Sequence, residues 1–451
     1  MKVLFANPPW WAGRAEKRWW GGGWLFRRWR AGVRCGSRWP FTYDAFSRPG
    51  RRFFYDYTPY PFFLGYAAPY VAKQTGAEAL FRDSIALRES YESFYKYLDE
   101  TRPQMIFIES ATPSWDHDRE VIHEIHRRLP GAEIAVAGPI TTTNAERILA
   151  DDPVKACIKG EYEKGAVKVV NGAEGVIEID LLSRQEMNEA PFPHYDDLHA
   201  RLYFDFNPRW QKFPHAHVWS SRGCPFKCIF CVWPATMTGN DPDGNTTRTV
   251  RHYTPEYMEA FLREIIERYG FRSIYFDDDT FNLGNSHAVK MCEVMSRIGV
   301  PWSAMCRADT SKLETWKMMK DSGCFGVKLG FESGSQYVVD KIVNKHLDLE
   351  FAADVVREIR RVGMSVHGTF TYGMPGETRE QMQQTKQYLH SLPFNSYQES
   401  GTAEIEGTPL HTLRLAGRLE KYEGARIDDR YDRETDGNKK FQSLVDKLRA
   451  S

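Results

Sequence analysis

Along the first third of the chain, short unbroken apolar runs alternate with amphipathic stretches. Lys2–Ala6, Met105–Glu109, Glu133–Ala137 and Lys155–Lys159 are mainly hydrophobic without a polar alternation, the pattern of a parallel strand covered on both faces. Between them, Asp116–Arg128 sets Val121, Ile122 and Ile125 on one helical face, and Leu64–Gln74 offers another. Strand alternating with helix predicts a doubly wound α/β sheet, with its ligand crevice at the carboxyl ends of the strands. Those ends read Asn7-Pro8-Pro9, Ser110-Ala111-Thr112, Gly138-Pro139 and Gly160-Glu161. Small or kinked residues there let a flat ligand approach the backbone, although Gly and Pro also end strands that bind nothing.

A second alternation starts near residue 215. Helices are predicted at Pro255–Tyr269, Ser286–Ile298, Lys312–Ser322, Leu349–Val362 and Arg379–Ser391. Strands are predicted at Val218–Ser221, Ser273–Phe276, Trp302–Cys306, Gly326–Gly330, Ser365–Thr371 and near Tyr397–Ala403. Six strands alternating with helices make a partial (β/α)6 barrel, which carries its chemistry at the carboxyl ends of the strands. Asp277-Asp278-Asp279, Arg307, Glu332 and Gly373-Met374-Pro375-Gly376-Glu377 stand there. The aspartates suit a divalent cation or a solvated turn, and Arg307, after a buried strand, calls for a carboxylate partner. A Pro-rich acidic stretch, Asn188–Asp197, separates the halves. The expected organisation is a Rossmann-like domain over 1–185, a linker over 186–214, a barrel over 215–412 and a short helical tail over 413–451. The tail caps the barrel mouth or frays.

Composition narrows the class without naming it. The chain has 451 residues, of which 42% are hydrophobic and 27% charged, and its 60 basic residues balance 60 acidic ones. Net charge therefore gives no pull toward nucleic acid or a membrane surface. No segment reaches the roughly 18 uninterrupted apolar residues of a membrane span, and the run at the start is too short for a signal peptide. A cytoplasmic address is the default expectation. Only three of the eight cysteines cluster, which fits a metal centre in a reducing compartment better than a disulfide scaffold.

That cluster is Cys224, Cys228 and Cys231, in the run Ser220-Ser221-Arg222-Gly223-Cys224-Pro225-Phe226-Lys227-Cys228-Ile229-Phe230-Cys231. Thiolates suit iron–sulfur clusters, and a full set is four. Three leave one iron open for a ligand. Gly223 allows a tight turn before Cys224, and Phe230 is placed to pack on a bound ring. The rival is a zinc site completed by His215 or His217, but structural zinc sites more often add a second cysteine pair, and Cys292, Cys306 and Cys324 are isolated.

An insert between Pro9 and Tyr60 concentrates Trp10, Trp11, Trp19, Trp20, Trp24, Trp29 and Trp39 beside ten arginines from Arg14 to Arg52. Such residues stack on planar rings and clamp anions. They equally suit an anionic or aromatic substrate, single-stranded RNA, or a solvated surface.

The three-cysteine spacing is the signature of the radical S-adenosylmethionine (SAM) superfamily, and residues 215–412 resemble its catalytic core. The resemblance implies a 4Fe–4S cluster on Cys224, Cys228 and Cys231, with SAM at the open iron and split reductively to methionine and a 5′-deoxyadenosyl radical. It implies adenine against Phe230 and the Gly373-Met374-Pro375 turn, with Glu377 on the N-cap side of the next helix. Asp277 and Asp278 would meet SAM's amino group, Arg307 its carboxylate and Glu332 its ribose.

Residues 1–170 resemble the cobalamin-binding domain that precedes the core in one large class of these enzymes. Asn7, Pro8, Ser110, Thr112, Gly138, Pro139, Gly160 and Glu161 would then line cobalamin. The Asp-x-His-x-x-Gly signature is absent, and the first histidine is His117, but members of this class often bind cobalamin without it. In the family the insert faces the cofactor's lower side.

The implied activity is a cobalamin-dependent methyltransferase acting on an unactivated carbon. One SAM methylates cobalt and a second yields the radical. A reductase, flavodoxin or ferredoxin would supply electrons, and the substrate would be a small molecule, lipid or peptide. The alternatives are cyclisation, rearrangement or oxidation without methyl transfer, and RNA modification through the insert. RNA-methylthiolating relatives carry extra cluster cysteines in their first domain, whereas here that domain has only Cys35 and Cys157.

Overall fold

The structure is a computed structural model that describes residues 1–10, 26–32, 38–44, 57–205, 212–232, 236, 250–402 and 404–418. The chain divides into two compact units, Met1–Asp205 with Val232–Asn240, and Phe206–Cys231 with Asp241–Ser451. Trp11, Trp19, Trp20, Trp24 and Cys35 of the insert, and the tail beyond residue 418, lie outside the described residues. Trp29 and Trp39 fall on an antiparallel ribbon, Phe26–Gly32 with Arg38–Asp44.

In the first unit six parallel strands form the sheet: β1 (Lys2–Asn7), β2 (Glu78–Asp83), β3 (Met105–Glu109), β4 (Glu133–Ala137), β5 (Ala156–Ile158) and β6 (Gly175–Ile177). Their spatial order is β2-β1-β3-β4-β5-β6, so the chain reverses its winding at β1 and a crevice opens beside it. The core strands are apolar on both faces because helices cover both. Leu4, Ile106, Ile134 and Val136 pack with Val121, Ile122 and Ile125 of helix Trp115–Arg128. Residues as far as Asp205 belong to this unit, where spacing alone places a linker. Backbone and side-chain bonds tie them down: the His194 N–H donates to the Gly65 carbonyl, and Tyr60 Oη donates to the His194 carbonyl at 2.6 Å.

The second unit's sheet is β7 (His215–Val218), β8 (Ser273–Phe276), β9 (Trp302–Cys306), β10 (Cys324–Glu332), β11 (Ser365–Tyr372) and β12 (Ser396–Gly401), parallel and in sequence order. Helices Pro255–Tyr269, Asn285–Ile298, Leu313–Asp321, Leu349–Arg361 and Arg379–Ser391 connect them, which is the expected six-stranded partial barrel. Three of the five helix starts carry their own signal. Thr254, Asp348 and Thr378 are N-caps whose side chains accept helix N–H groups, satisfying donors that a helix start leaves open. Among the described residues no helix is long and apolar enough to cross a membrane.

At Gly138, just past β4, φ is +109° and a Cβ would collide with the Ser110 carbonyl oxygen. Gly138→Ala should therefore cost about 1–3 kcal/mol, read as a lowered midpoint in thermal denaturation. Gly131→Ala, where a Cβ meets nothing within 4 Å, should change little.

Candidate active site

The three cysteines lie on a loop that leaves β7 and is fastened at both ends. Before Cys224, Gly223 takes a positive φ of 93°, and its N–H donates to Asp279 Oδ2 at 3.0 Å. Farther along, the Ile229 N–H donates to the Val343 carbonyl, and the Leu410 N–H to the Ile229 carbonyl. Asn344 Nδ2 donates to the Lys227 carbonyl at 3.1 Å. Thus the segment after β10, with its π-helical turn at Val338–Ile342, cradles the loop. Nothing in the spacing of Val343, Asn344 or Lys345 announces this. A π-turn, often found at functional sites, has no clear sequence mark.

All three thiols are half-buried and free of disulfides. Burial pushes the Cys224 thiol up to about 12. Burial also raises Cys228, opposed by the nearby charges of Lys345 and Arg307. A protein-only pocket thus disfavours the thiolates, and metal ligation is what stabilises them. No group of three or more His, Cys, Asp and Glu among the described residues is arranged to hold a single metal ion. His215 Nδ1 lies 2.8 Å from Ser273 Oγ. A cubane takes one thiolate per iron, so its three cysteines need not converge on one point, and the donor set suits a cluster. Phe230 and Cys228 pack against the apolar group of Val338, Val343 and Met374. This brings together the two places, Phe230 and the Gly373-Met374-Pro375 turn, expected to meet one flat ring.

The aspartates behave differently from one another. Asp278 is sealed from solvent and turns toward the end of β7. It accepts from the Ser220 N–H at 3.1 Å, Ser220 Oγ at 2.8 Å and Ser221 Oγ at 2.5 Å. Ser220 Oγ, its proton given to Asp278, accepts from His287 Nε2 at 2.9 Å, and the His287 ring lies on His252 at 4.2 Å between centroids. The Asp278 side chain therefore braces the strand that launches the cysteine loop. Asp279, absent from the expected contacts, holds Gly223. The Asp277 carbonyl accepts from Trp219 Nε1 at 2.9 Å.

Arg307 has the carboxylate partner its position called for, but one supplied by the chain. Its Nη2 donates to Asp309 Oδ2 at 2.8 Å and to the Lys345 carbonyl at 2.6 Å, and its guanidinium lies 3.7 Å from the Phe226 ring centroid. It props the cysteine loop. Asn282 clamps the same strand end, accepting from the Arg307 N–H and donating to the Arg307 carbonyl. Glu332, with a positive φ of 67°, follows a register shift in β10. It pairs with Lys345 Nζ at 2.8 Å and accepts from Thr371 Oγ1 at 3.1 Å. Glu377 turns back to accept the N–H groups of Gly373 and Met374 at 2.7 and 3.0 Å, and burial raises it to about 7. Thr378 is the N-cap of the next helix, so Glu377 stands one residue ahead of it.

In the first unit, the carboxyl ends of β1 to β5 gather the expected residues with several that sequence reading passed over. Asn7 Nδ2 donates to Asp83 Oδ1 at 2.9 Å. Ser110 and Ser114 both donate to Asp118 Oδ2 at 2.6 Å, and Thr141 Oγ1 donates to the Ile158 carbonyl at 2.7 Å. The Leu182 N–H donates to Glu161 Oε2 at 3.4 Å. Asn7 Oδ1, Asp83 Oδ2 and Thr112 Oγ1 are buried with no hydrogen-bond partner, and burial raises the Asp83 carboxyl. Pro8 and Pro139 are buried and Gly160 has a φ of 77°. Trp10 is sealed, and its ring approaches His117 at 5.9 Å between centroids, although the two stand on different elements.

Residues 220–389 match the Radical SAM superfamily. The chain is 24% identical over 384 residues to an uncharacterized methyltransferase of Pyrococcus horikoshii, covering 80% of this chain and 79% of that one. It is 28% identical over 240 residues to cytidylyl-2-hydroxyethylphosphonate methyltransferase of Streptomyces wedmorensis, covering 50% of this chain and 43% of that one. Among solved structures it resembles the radical SAM methyltransferase TsrM of Kitasatospora setae, with cobalamin and a [4Fe-4S] cluster bound. The TM-score is 0.61 at 17% identity, over 78% of this chain and 72% of that one. It also resembles the cobalamin-dependent SAM radical enzyme OxsB with aqua-cobalamin and SAM bound, at a TM-score of 0.60 and 14% identity, over 99% of this chain and 56% of that one. At these identities the structures establish the shared fold.

Burial raises Asp278 to about 7, as it does Glu377. The folded chain then keeps protons that the unfolded chain has released, so stability falls as pH rises from about 5 to about 7. Asp278→Asn should flatten that fall, measured by urea denaturation across the window. Asp278→Ala should leave Ser220 and Ser221 without their acceptor and destabilise by about 1–3 kcal/mol.

Proposed function

We propose that this radical SAM enzyme is a cobalamin-dependent methyltransferase that methylates an unactivated carbon of a small molecule. The observation that carries the reading is the pairing, in one chain, of the fastened three-cysteine loop with a doubly wound unit whose strand ends hold sealed polar atoms without partners. Likeness across both units to proteins solved with cobalamin bound supports it.

When bound, a 4Fe–4S cluster supplies the electron that splits SAM, and cobalamin supplies a carrier for the methyl group. Cys224, Cys228 and Cys231 would hold the cluster and leave one iron to SAM. Phe230 and Met374 would give the adenine an apolar wall, beside the Gly373-Met374-Pro375 turn held shut by Glu377. Glu332, held by Lys345 and Thr371, would face the ribose. Asp277 would offer its backbone to the amino group, while Asp278 and Arg307 act indirectly, by fixing the loop. In the first unit, Asn7 Oδ1 and Thr112 Oγ1 would take hydrogen bonds from cobalamin's amide arms, with Pro8, Ser110, Gly138, Pro139, Gly160 and Glu161 shaping the crevice. A small soluble donor, a flavodoxin, ferredoxin or reductase, would deliver the electrons in the cytoplasm.

With reconstituted cluster, cobalamin and a reductant, substrate turnover should release S-adenosylhomocysteine and 5′-deoxyadenosine in equal amounts. 5′-Deoxyadenosine alone, with cobalamin bound, would sink the methyl-transfer reading and leave radical SAM chemistry standing. Cys228→Ala should lose the cluster and both products, read by iron content and chromatography.

A further inference from the structure

The segment after β10 grips the cysteine loop on either side of Cys228. The Ile229 N–H donates to the Val343 carbonyl, and Asn344 Nδ2 donates to the Lys227 carbonyl at 3.1 Å. Adjacent residues of one segment thus hold the loop just before and just after one cysteine. The π-helical turn Val338–Ile342 sets their place. From it, the Val338 carbonyl accepts the Val343 N–H and the Val339 carbonyl accepts the Lys345 N–H.

A bond between backbone groups, such as that of Val343, can come from almost any residue. Asn344 differs. Its φ is +57° and that of His346 is +52°, in the left-handed region where glycine is the default and a side chain carries strain. Asn and His tolerate that region better than most residues, and here the Asn344 amide is put to use. The Lys227 carbonyl can only accept, so Nδ2 must face it. Asn344 Oδ1 is then left to accept from Nε2 of the exposed His346 at 2.7 Å. Both ends of the amide are fixed, and the His346 ring carries a proton on Nε2.

The Asn344 bond falls on the peptide between Lys227 and Cys228. The carbonyl of that peptide takes the Asn344 proton, and its N–H, that of Cys228, faces the Cys228 sulfur. Hydrogen bonds in line through one peptide polarise one another, by roughly 10–30% per bond. A carbonyl that accepts therefore makes its own N–H a better donor. Hydrogen bonds to the ligand sulfurs are among the levers that set an iron–sulfur potential. They draw charge from the sulfur, which favours the more negative, reduced cluster.

We propose that Asn344 is a positioning residue that raises the reduction potential of the cluster, acting on the Cys228 thiolate through the Lys227–Cys228 peptide. No covalent bond changes in this role: one electron from the external donor enters a cluster made easier to reduce. The proposal concerns the cluster that the radical SAM family implies and rests on neither cobalamin nor methyl transfer.

Cluster-reconstituted enzyme, without SAM or cobalamin, is titrated with dithionite in the presence of redox mediators. Electron paramagnetic resonance follows the reduced cluster, and iron is counted on the same preparations. Asn344→Gly keeps the left-handed backbone and removes the amide. It should hold as much iron as wild type and shift the reduction equilibrium about threefold against the reduced cluster. That is about 30 mV more negative, since tenfold is about 59 mV for one electron. Asn344→Ala, stiffer and equally without the amide, should give the same shift and replaces the glycine variant should that fail to fold. The iron–cysteine stretching frequency of the oxidised cluster, read by resonance Raman, should rise in either variant, because a sulfur less engaged by N–H binds iron more strongly. Full iron content with an unchanged or raised potential overturns the proposal. Loss of iron from both variants would make Asn344 a mechanical clasp alone and overturn it equally. Wild type that takes up no iron would refute the cluster itself, whereas failure of methyl transfer leaves all of these readings untouched.

Discussion

Asp278 accepts three hydrogen bonds from Ser220 and Ser221 at the point where the first barrel strand ends and the cysteine loop begins. A carboxyl group sealed from water costs several kcal/mol unless its partners are in place. The end of β8 therefore fixes the end of β7, and with it the origin of the loop. Asp279 continues the constraint by holding the Gly223 N–H, and Thr280, beside it, lies 4.0 Å from the Cys224 sulfur. His287, stacked on His252, closes the network from the helix side.

The far side of the loop depends on a second set of charges. Arg307 is spread between Asp309, the Lys345 carbonyl and the face of Phe226, while Lys345 reaches Glu332. Two buried cations thus stand near the Cys228 thiol, where their charges favour the thiolate against burial. The loop that would seat a cluster is thus fastened by the chain's own bonds at several points. This preorganisation is the protein's share of chemistry that the cofactors carry.

The barrel departs from an ordinary core in its polarity. Its outer rows pack as apolar layers under helices, whereas its inner row is polar from β7 to β12. A sequence reader meets this as alternation within short strands. His-Ala-His-Val, Ser-Ile-Tyr-Phe and Ser-Val-His-Gly-Thr-Phe-Thr-Tyr each read as half-polar, and without the register nothing reveals that their polar positions face one another. The same limit hid Lys345, Asn344 and Val343, which reach the loop through the tertiary fold. Trp10 and His117 likewise meet only because β1 and β3 are neighbours.

The sequence by itself determined the order of elements and the identity of the cysteine site. Helices such as Pro255–Tyr269 and Arg379–Ser391 carry their caps and periodicity locally, and three thiolates within eight residues need no distant partner to be legible. It missed the edge strand Glu78–Asp83, whose charged, half-exposed pattern is what an unpaired edge requires and resembles a loop. Nor did it show which groups of the chain Asp278 and Arg307 bond, because a polar residue at a strand end looks the same whichever strand it faces. Only the tertiary structure decided that question, since the partners Ser220, Ser221 and Asp309 are chosen by which strand ends lie side by side and which way each side chain turns.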